Sequence, residues 1–247
     1  MLISVSDLVN FWGVKPKNVL HIGAHNAEEL EAYTKHNWNQ VTWVEAQPDK
    51  IEYLKKKLPV HHKLIEAAVW NESGISLELK VMTNTESTSL LNLGTHASEH
   101  PSVTLNYEIP IKTQVLNDLI PLNETPDLIT LDIQGAELKA LEGFGTRIRD
   151  VRWIYCEVNK DYLYEGCCLV SDLDTYLEKF GFKRIVTRWT YHGWGDALFV
   201  QKNLIPSENL IRRLLMKLSE WIWLAKDFKM RAKEFLIRIR DRRKSYS

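Results

Sequence analysis

The chain has 247 residues, of which 45% are apolar and 26% are charged, as in an ordinary soluble globular protein with room for one α/β domain. No run of about 18 uncharged apolar residues occurs. The N-terminal segment lacks the basic region and cleavage site of a signal peptide, so we expect a cytoplasmic protein. The cysteines, Cys156, Cys167 and Cys168, lack a CxxC spacing, which argues against a disulfide framework and a zinc cluster.

The first third of the chain alternates short apolar runs with helical segments. Residues 18–22 (NVLHI) predict a strand, and residues 27–36 predict a helix with acids in its first turn. The same order follows in residues 41–46 and 49–58, and residues 63–69 predict a third strand. Strands that alternate with short helices indicate parallel βαβ units and a doubly wound sheet.

The middle of the chain, from residue 70 to residue 111, loses the helical period. An alternating segment at residues 75–82 predicts a hairpin-like insertion, and a Ser/Thr/Asn-rich stretch follows it. Loops of this length inside a compact domain are usually functional, so we expect residues 83–100 to form a substrate-side lid. The side chains of this lid that we expect to face the site are Ser87, Ser89 and His96.

The α/β alternation then resumes and completes the sheet. Strands are predicted at 127–133, 151–158, 182–189 and 197–201, with helices at about 136–142 and 171–180. The last two strands are separated by too few residues for a helical crossover, so they must pair antiparallel. A mostly parallel seven-stranded sheet with one antiparallel strand is the arrangement of the Rossmann-like class I methyltransferases. We therefore predict one such α/β domain at residues 1–204.

The remaining residues, 205–247, predict a basic, amphipathic helical tail. Residues 201–247 contain 13 Lys and Arg against 5 Asp and Glu, whereas residues 1–200 contain 19 against 27. Apolar residues recur at helical spacing among these cations. Only the tail is therefore a candidate for anionic partners. We expect peripheral contact with a membrane, packing on the acidic body, or self-association, and no nucleic-acid partner.

A glycine turn follows the first predicted strand. In an open α/β sheet, ligands bind beyond the carboxyl ends of the strands. The turn contains Gly23, Ala24 and His25, but His25 and Glu28 stand where a dinucleotide fingerprint, G-x-G-x-x-G, has glycine. A pyrophosphate is disfavoured there, which argues against a nicotinamide dehydrogenase. A cofactor without phosphates, such as S-adenosylmethionine, is compatible.

Positions at the ends of the next two strands complete a nucleoside site. Glu45 ends the second strand, about 20 residues after the glycine turn, where an acid accepts hydrogen bonds from ribose hydroxyls. Ala46 lies beside it, and Ala68 and Val69 offer a small apolar surface to an adenine ring. An exposed strand-end glutamate and an ordinary buried strand end would show the same residue types.

Acids also end the two central strands. Asp132 precedes Gly135, which allows a sharp turn, and Glu157 ends the following strand. Asp132 is well placed to bind the methionine amine of the cofactor or a substrate hydroxyl. Such a pair could share a proton, bind a cation or orient a substrate. His192 lies in a glycine-containing turn. Its role there is either that of a general base or that of a residue that stabilises the turn. His21, inside the first strand, is expected to be a hydrogen-bonded core residue. The catalytic candidates are Asp132, Glu157 and His192, and no ligand spacing predicts a metal.

Several segments together resemble the FkbM-type methyltransferases over roughly residues 18–201. They are LHIGAHNAEEL, WVEAQPDK, TESTSLLNLGTH, LDIQGAELKALEG, EVNKDYLYEGC and HGWGDALFV. The resemblance implies the class I fold, S-adenosylmethionine as methyl donor, and O-methylation of a sugar, glycan or natural-product hydroxyl. It also implies the roles of these residues: the cofactor loop Gly23, Ala24 and His25, the ribose acid Glu45, the adenine wall Ala68 and Val69, and the central acid Asp132.

One position departs from the family, because many members carry an acid where this chain has His21. The alternative to an enzyme is a non-catalytic scaffold that keeps the methyltransferase fold.

Overall fold

The computed structural model describes residues 1–205 and, beyond them, residues 214, 217–218, 221–225 and 228–229. The strands are β1 (Asn18–Ile22), β2 (Gln40–Glu45), β3 (Lys63–Glu66), β4 (Ala68–Val69), β5 (Ser76–Met82), β6 (Leu105–Gln114), β7 (Leu128–Leu131), β8 (Trp153–Asn159), β9 (Phe182–Trp189) and β10 (Trp194–Gln201). The helices are α1 (Val5–Trp12), α2 (Leu30–Lys35), α3 (Pro48–Lys57), α4 (His96–Glu99), α5 (Leu116–Leu119), α6 (Glu137–Phe144) and α7 (Val170–Glu178).

The central sheet has seven strands in the order β3-β2-β1-β7-β8-β10-β9. Neighbouring strands are parallel, except that β10 runs antiparallel to both β8 and β9. This confirms the predicted mostly parallel sheet with one antiparallel strand. The chain moves outward from β1 to β2 and β3 and then returns to add β7 on the other side of β1, so the strand order reverses there. Ligands bind at such a point in open sheets.

The prediction of a third strand at residues 63–69 was wrong at its carboxyl end. β3 stops at Glu66, and Ala68 and Val69 form β4, which pairs with β6 in a second sheet of order β4-β6-β5. The Ala67 amide still donates to the Glu45 carbonyl at 2.9 Å, so the chain leaves β2 only after this residue. Residues 63–69 have the composition of one short strand, and composition alone does not reveal such a change of pairing partner.

The predicted hairpin-like insertion is present, with β5 and β6 paired antiparallel from Ser76 opposite Lys112 to Met82 opposite Leu105. The strand β6 was not predicted as a separate element, although Leu105, Tyr107, Ile109 and Ile111 alternate with other residues along it. Pro110 interrupts this run, and proline within such a run weakens the strand signal.

Two hydrophobic clusters cover the two faces of the central sheet. Leu20 and Ile22 of β1 belong to one cluster, and Val19 of the same strand belongs to the other. This division follows from the alternation of side chains along a strand. Helix α1, which was not predicted, packs Leu8 and Trp12 into the second cluster.

Most of the predicted tail lies outside the described residues. The described positions beyond residue 205 are helical, and Leu214, Leu218, Trp221 and Phe228 are exposed. The Trp223 ring lies 5.6 Å from the guanidinium carbon of Arg188, on the edge strand β9. In the part of the chain that the structure describes, no helix has the length and apolar character needed to cross a membrane.

Candidate active site

A cavity of about 550 Å³ opens at the carboxyl edge of the central sheet, where the strand order reverses. Its floor consists of residues at the ends of β1, β2, β7 and β8, and its sides come from the predicted lid and from the turn between β9 and β10. The volume is typical of small-molecule sites. The predicted site residues that line it are Gly23, His25, Glu45, Ala46, Ala68, Val69, Asp132, Glu157 and His192.

The glycine turn after β1 is held close to β7. Gly23 has a φ of 84°, and a Cβ added there would lie 1.9 Å from the Asp132 carbonyl oxygen. Only glycine fits, because the left-handed conformation and the close approach both exclude a side chain. Ala24 differs from the prediction, since its side chain packs into the second hydrophobic cluster. Its contribution to a ligand site is therefore limited to its backbone.

His25 continues this turn in an unusual backbone conformation, with a φ of 44°. Its backbone amide donates to Glu45 Oε2 at 2.7 Å. Its ring is held on both sides, by Glu28 Oε1 at 2.9 Å from Nδ1 and by Thr85 Oγ1 at 2.9 Å from Nε2. His25 therefore links the glycine turn to the β2 acid and to the predicted lid.

Glu45 lies at the centre of a set of backbone donors. Besides the His25 amide, the amides of Ala46 and Gln47 both donate to Oε1 at 2.8 Å. Burial raises the pKa of the Glu45 carboxyl, and the three amide hydrogen bonds oppose that rise. An ionised carboxylate has about four acceptor positions, so one remains for a ribose hydroxyl. The carboxylate is thus fixed in direction before a ligand arrives.

Small apolar residues form the wall beside Glu45. Ala67, Ala68 and Val69 line the cavity and are almost fully buried, and Leu79 of β5 lies on the same wall. The break between β3 and β4 places them here, because the chain turns away from β2 at Ala67. The surface is apolar enough for the flat face of an adenine ring, and that role stays a prediction.

His21 occupies the core, as predicted. It is 1% exposed, and its Nδ1 lies 2.9 Å from the Tyr33 hydroxyl. Burial lowers the pKa of His21 to about 3, so the ring is neutral at physiological pH. This position therefore offers no charge to a ligand.

The two central acids, Asp132 and Glu157, are joined by one amide group. Gln134 Nε2 donates to Asp132 Oδ1 at 2.6 Å and to Glu157 Oε2 at 3.0 Å. Burial raises the pKa of Asp132 to about 6. Burial, and next the charge of Asp132, raises the pKa of Glu157 well above its ordinary value. The pair can therefore hold a proton at neutral pH and exchange it with a bound molecule.

Two further buried acids surround this pair. Asp196 of β10 stands opposite Glu157 in the sheet and accepts hydrogen bonds from the Tyr155 hydroxyl and the Leu2 amide. Glu137 accepts from the amides of Ile133 and Gly135 at 3.1 Å, which holds the turn after β7. Burial raises the pKa of Glu137 to about 7. Its carboxyl is used within the turn, whereas Asp196 lines the cavity.

The predicted lid does line the cavity. Ser87, Ser89 and His96 all contribute to its wall, and all three are buried. Ser89 Oγ donates to the Gln134 carbonyl at 2.7 Å, and Ser87 Oγ lies 3.5 Å from His96 Nε2. The placement of these side chains is confirmed, and opening of this segment stays a prediction.

His192 lies at the mouth of the cavity and joins two of its walls. Its Nδ1 is 3.1 Å from Glu99 Oε2 of α4, and its ring centroid is 4.4 Å from that of His100. Both contacts connect the turn between β9 and β10 to the lid. This favours a structural role at the mouth, while a catalytic role stays a prediction.

The charges that line the cavity are all acidic, apart from the histidines and the amino group of Met1. Among the described residues, no lysine or arginine lines it. The acids are Glu28, Glu29, Glu45, Glu86, Asp132, Glu157 and Asp196. In the same part of the chain, no group of three or more His, Cys, Asp or Glu side chains is arranged to hold a metal ion.

Sequence reasoning missed three side chains of this site: Gln134, Tyr164 and Asp196. Gln134 lies within the LDIQGAEL motif, between the two residues that were singled out, and Tyr164 lies in the EVNKDYLYEGC segment. Both could have been found there. The position of Asp196 depends on the antiparallel register of β10 on β8.

Comparison with known proteins agrees with this geometry. The family model described as the methyltransferase FkbM domain matches residues 21–184, which is more than half of the chain. The chain belongs to the FkbM methyltransferase family. It is therefore an S-adenosylmethionine-dependent methyltransferase with the class I fold. No curated protein sequence matches it.

Solved structures similar to this FkbM chain share little sequence with it. Sp1610 of Streptococcus pneumoniae, described as a candidate tRNA (m1A22) methyltransferase and solved with S-adenosyl-L-methionine, is 14% identical, with a TM-score of 0.48 over 94% of this chain and 88% of that one. Magnesium protoporphyrin IX methyltransferase of Synechocystis PCC 6803 is 11% identical, with a TM-score of 0.42 over 80% and 76%. Their acceptors are not carried over to this chain.

Proposed function

We propose that this FkbM methyltransferase transfers the methyl group of S-adenosylmethionine to a hydroxyl group of an uncharged polyhydroxy acceptor, such as a sugar, a glycan or a natural product. The observation that carries the proposal is the Asp132 and Glu157 pair at the ends of the two central strands, bridged by one amide. A hydroxyl must lose its proton as it is methylated, and a carboxylate with a pKa near 6 can accept that proton at neutral pH.

The donor half of the cavity fits this cofactor. The glycine turn, packed against β7 at Gly23, lines the cavity, and Glu45 has one acceptor position left for a ribose hydroxyl. Ala68 and Val69 supply the apolar wall for the adenine. When bound, S-adenosylmethionine supplies an electrophilic methyl group, and its positive sulfonium is compatible with the acidic lining.

The acidic lining also bears on the acceptor. A phosphate-rich acceptor binds proteins chiefly through lysine and arginine, and none lines the cavity among the described residues. Carboxylates on the wall would repel it. A neutral polyol meets no such repulsion and can donate hydrogen bonds to these acids.

In this mechanism the protein aligns the acceptor, excludes water and removes one proton. Alignment of two reactants accounts for a large part of the rate acceleration in such transfers. The lid, residues 83–100, covers the cavity and keeps water from it. As the oxygen of the acceptor forms its bond to the methyl carbon, its proton passes to the carboxylate of Asp132 or Glu157.

An acceptor panel tests the proposal. The protein is incubated with S-adenosylmethionine and neutral glycans, glycolipids, polyhydroxylated natural products, primary amines or RNA, and release of S-adenosylhomocysteine is measured. We expect turnover only with the uncharged hydroxyl acceptors. Turnover on amines or RNA would contradict the proposal. Binding of S-adenosylhomocysteine without turnover on any acceptor would favour the scaffold alternative.

A further inference from the structure

One residue, Gln134, connects the two central acids to Tyr164 and to the lid. Gln134 donates through Nε2 to both central acids, and its Oε1 accepts a hydrogen bond from the Tyr164 hydroxyl at 2.5 Å. Its backbone carbonyl accepts from Ser89 of the lid at 2.7 Å. These four hydrogen bonds join Gln134 to the end of β7, to β8, to the segment after β8 and to the lid.

The orientation of the Gln134 amide is determined by these partners. In the opposite orientation, Oε1 would face two carboxyl oxygens, which are acceptors when ionised. The Tyr164 hydroxyl stabilises the observed orientation by donating to Oε1. Both hydrogens of the amide nitrogen therefore point at the two acids.

The backbone of Gln134 also adopts an uncommon conformation in this arrangement. Its φ is 54°, a left-handed conformation that is uncommon for residues other than glycine. Gly135, at a φ of 101°, follows directly, and a Cβ there would lie 2.9 Å from the Cys167 Cβ. Local strain of this kind persists where the surrounding structure requires it, often at functional sites.

We propose that Gln134 is a positioning residue for methyl transfer, which holds the Asp132 and Glu157 carboxyl groups side by side and favours their ionised forms, with Tyr164 fixing its orientation. This inference rests on the proposed function for its catalytic meaning. Hydrogen bonds donated to a carboxylate stabilise the charged form. Loss of the amide therefore makes both acids harder to ionise.

Other groups also act on this pair. Those that face it from the surrounding elements are the amino group of Met1, Glu29 at the N-terminal cap of α2, Glu137 of α6, Cys156 of β8, Tyr164 and Asp196 of β10. The acids among them oppose ionisation of the pair, and Gln134 counteracts that effect. Each of these groups is unchanged in a Gln134 variant, so the comparison isolates the amide.

The experiment replaces Gln134 by Met, which has a similar length and no hydrogen-bond donor. The ¹³C NMR signals of labelled Asp and Glu carboxyl groups are titrated in the full-length protein, and Asp132→Asn and Glu157→Gln assign the pair. We expect Gln134→Met to move the apparent pKa values of the pair upward by about one unit. Gln40→Met, at an exposed position on β2, is the matched control and should leave them unchanged.

Kinetics give a second readout. We expect the acid limb of the pH profile for methyl transfer to move upward by the same amount, with a loss of about twofold at pH 7 and about tenfold at pH 5 that recovers at alkaline pH. A variant that merely loosened the fold would lose activity equally at every pH. Tyr164→Phe should shift the profile in the same direction by less, and it serves if Gln134→Met does not fold.

The results separate this inference from the proposed function. The carboxyl titration needs no acceptor, so an unchanged titration in Gln134→Met and Tyr164→Phe would overturn the positioning role by itself. A shifted titration in a protein that methylates no hydroxyl acceptor would support the positioning role and contradict the proposed function alone.

Discussion

The two halves of the cavity are built in different ways. The proposed donor half contains the glycine turn and Glu45, and the proposed acceptor half contains the central acids, the lid and the turn between β9 and β10. In the donor half, Glu45 and the glycine turn are fixed by backbone amides within two consecutive βα units. In the acceptor half, the walls meet through side chains such as His192 and Glu99, which are 93 residues apart in the chain. The donor half is thus set by local chain geometry, whereas the acceptor half is set by tertiary packing.

This difference explains why enzymes with the same cofactor can have a similar donor half and still differ in the acceptor half. A cofactor common to many enzymes suits a site made from backbone groups, because such a site tolerates sequence change around it. An acceptor specific to one enzyme suits a site made from loop side chains. Substitutions in the two halves should therefore have separable effects on cofactor affinity and on turnover.

The largest expected effect separates chemistry from cofactor binding. Asp132→Asn combined with Glu157→Gln should reduce methyl transfer by about 10²- to 10⁴-fold, because no carboxylate of the pair remains to accept the proton. Affinity for S-adenosylhomocysteine should change little. In the wild-type protein, activity should fall as the pH falls through about 6, since protonation of Asp132 removes the base. Steady-state kinetics and calorimetry measure the two quantities.

The matched control for these changes is Asp118→Asn, at an exposed position on α5. It removes the same charge and should leave turnover unchanged. If the double variant keeps more than about a tenth of wild-type turnover, the pair does not provide general-base catalysis of the size expected here.

A second prediction tests the backbone origin of the donor half. Gly23→Ala places a Cβ 1.9 Å from the Asp132 carbonyl oxygen, so we expect a loss of about 3 kcal/mol or more in the free energy of unfolding. Gly74→Ala is the matched control, because Gly74 has the same φ of 84° and no atom within 4 Å of the added Cβ. It should cost only about 1 kcal/mol. If denaturant unfolding gave the same loss in the free energy of unfolding for both variants, close packing at Gly23 would be unimportant.

A third prediction concerns Glu45. Glu45→Ala removes an oriented, charge-assisted acceptor for the ribose, worth about 1.5–3 kcal/mol, so affinity for S-adenosylhomocysteine should fall about 10- to 150-fold. Glu45→Gln keeps one acceptor oxygen and should lose less. Calorimetry that gave unchanged affinity in Glu45→Ala would exclude a ribose contact at this acid.

The smallest expected effect lies outside the cavity, in the tail. We propose that residues 205–247 bind either an anionic membrane surface or a second copy of this chain. Membrane contact predicts sedimentation with anionic but not neutral vesicles, weakened by salt, at about 1 kcal/mol for each cation near the surface. Self-association predicts a dimer in sedimentation velocity. Deletion of residues 206–247 should abolish either result, and a full-length protein that showed neither would contradict the proposal.

The sequence predicted the donor half better than the acceptor half for a physical reason. Gly23 follows β1 directly and Glu45 ends β2, and the carboxyl ends of parallel strands meet at one edge. The same rule found Asp132 and Glu157 on the acceptor side. The exception was Ala24, whose side chain packs into the core.

The acceptor half depends on register and on turns that a linear pattern does not encode. Ser87, Ser89 and His96 were expected on the cavity wall because the loop is long and polar. The hydrogen bond from Ser89 to the Gln134 carbonyl was not predictable, since it depends on the left-handed turn at residues 134–135. The break between β3 and β4 was missed because apolar residues stand on both sides of Glu66 and read as one short strand.

Product analysis with ¹³C-methyl S-adenosylmethionine tests the central claim most directly. The protein is given a neutral polyhydroxy acceptor on which turnover is observed, and NMR identifies the atom that carries the labelled methyl group. The account predicts a methyl ether on one hydroxyl oxygen in the wild-type reaction, and loss of that signal in the Asp132→Asn and Glu157→Gln double variant. A labelled methyl group on nitrogen or carbon, or an unchanged ether signal in the double variant, would contradict it.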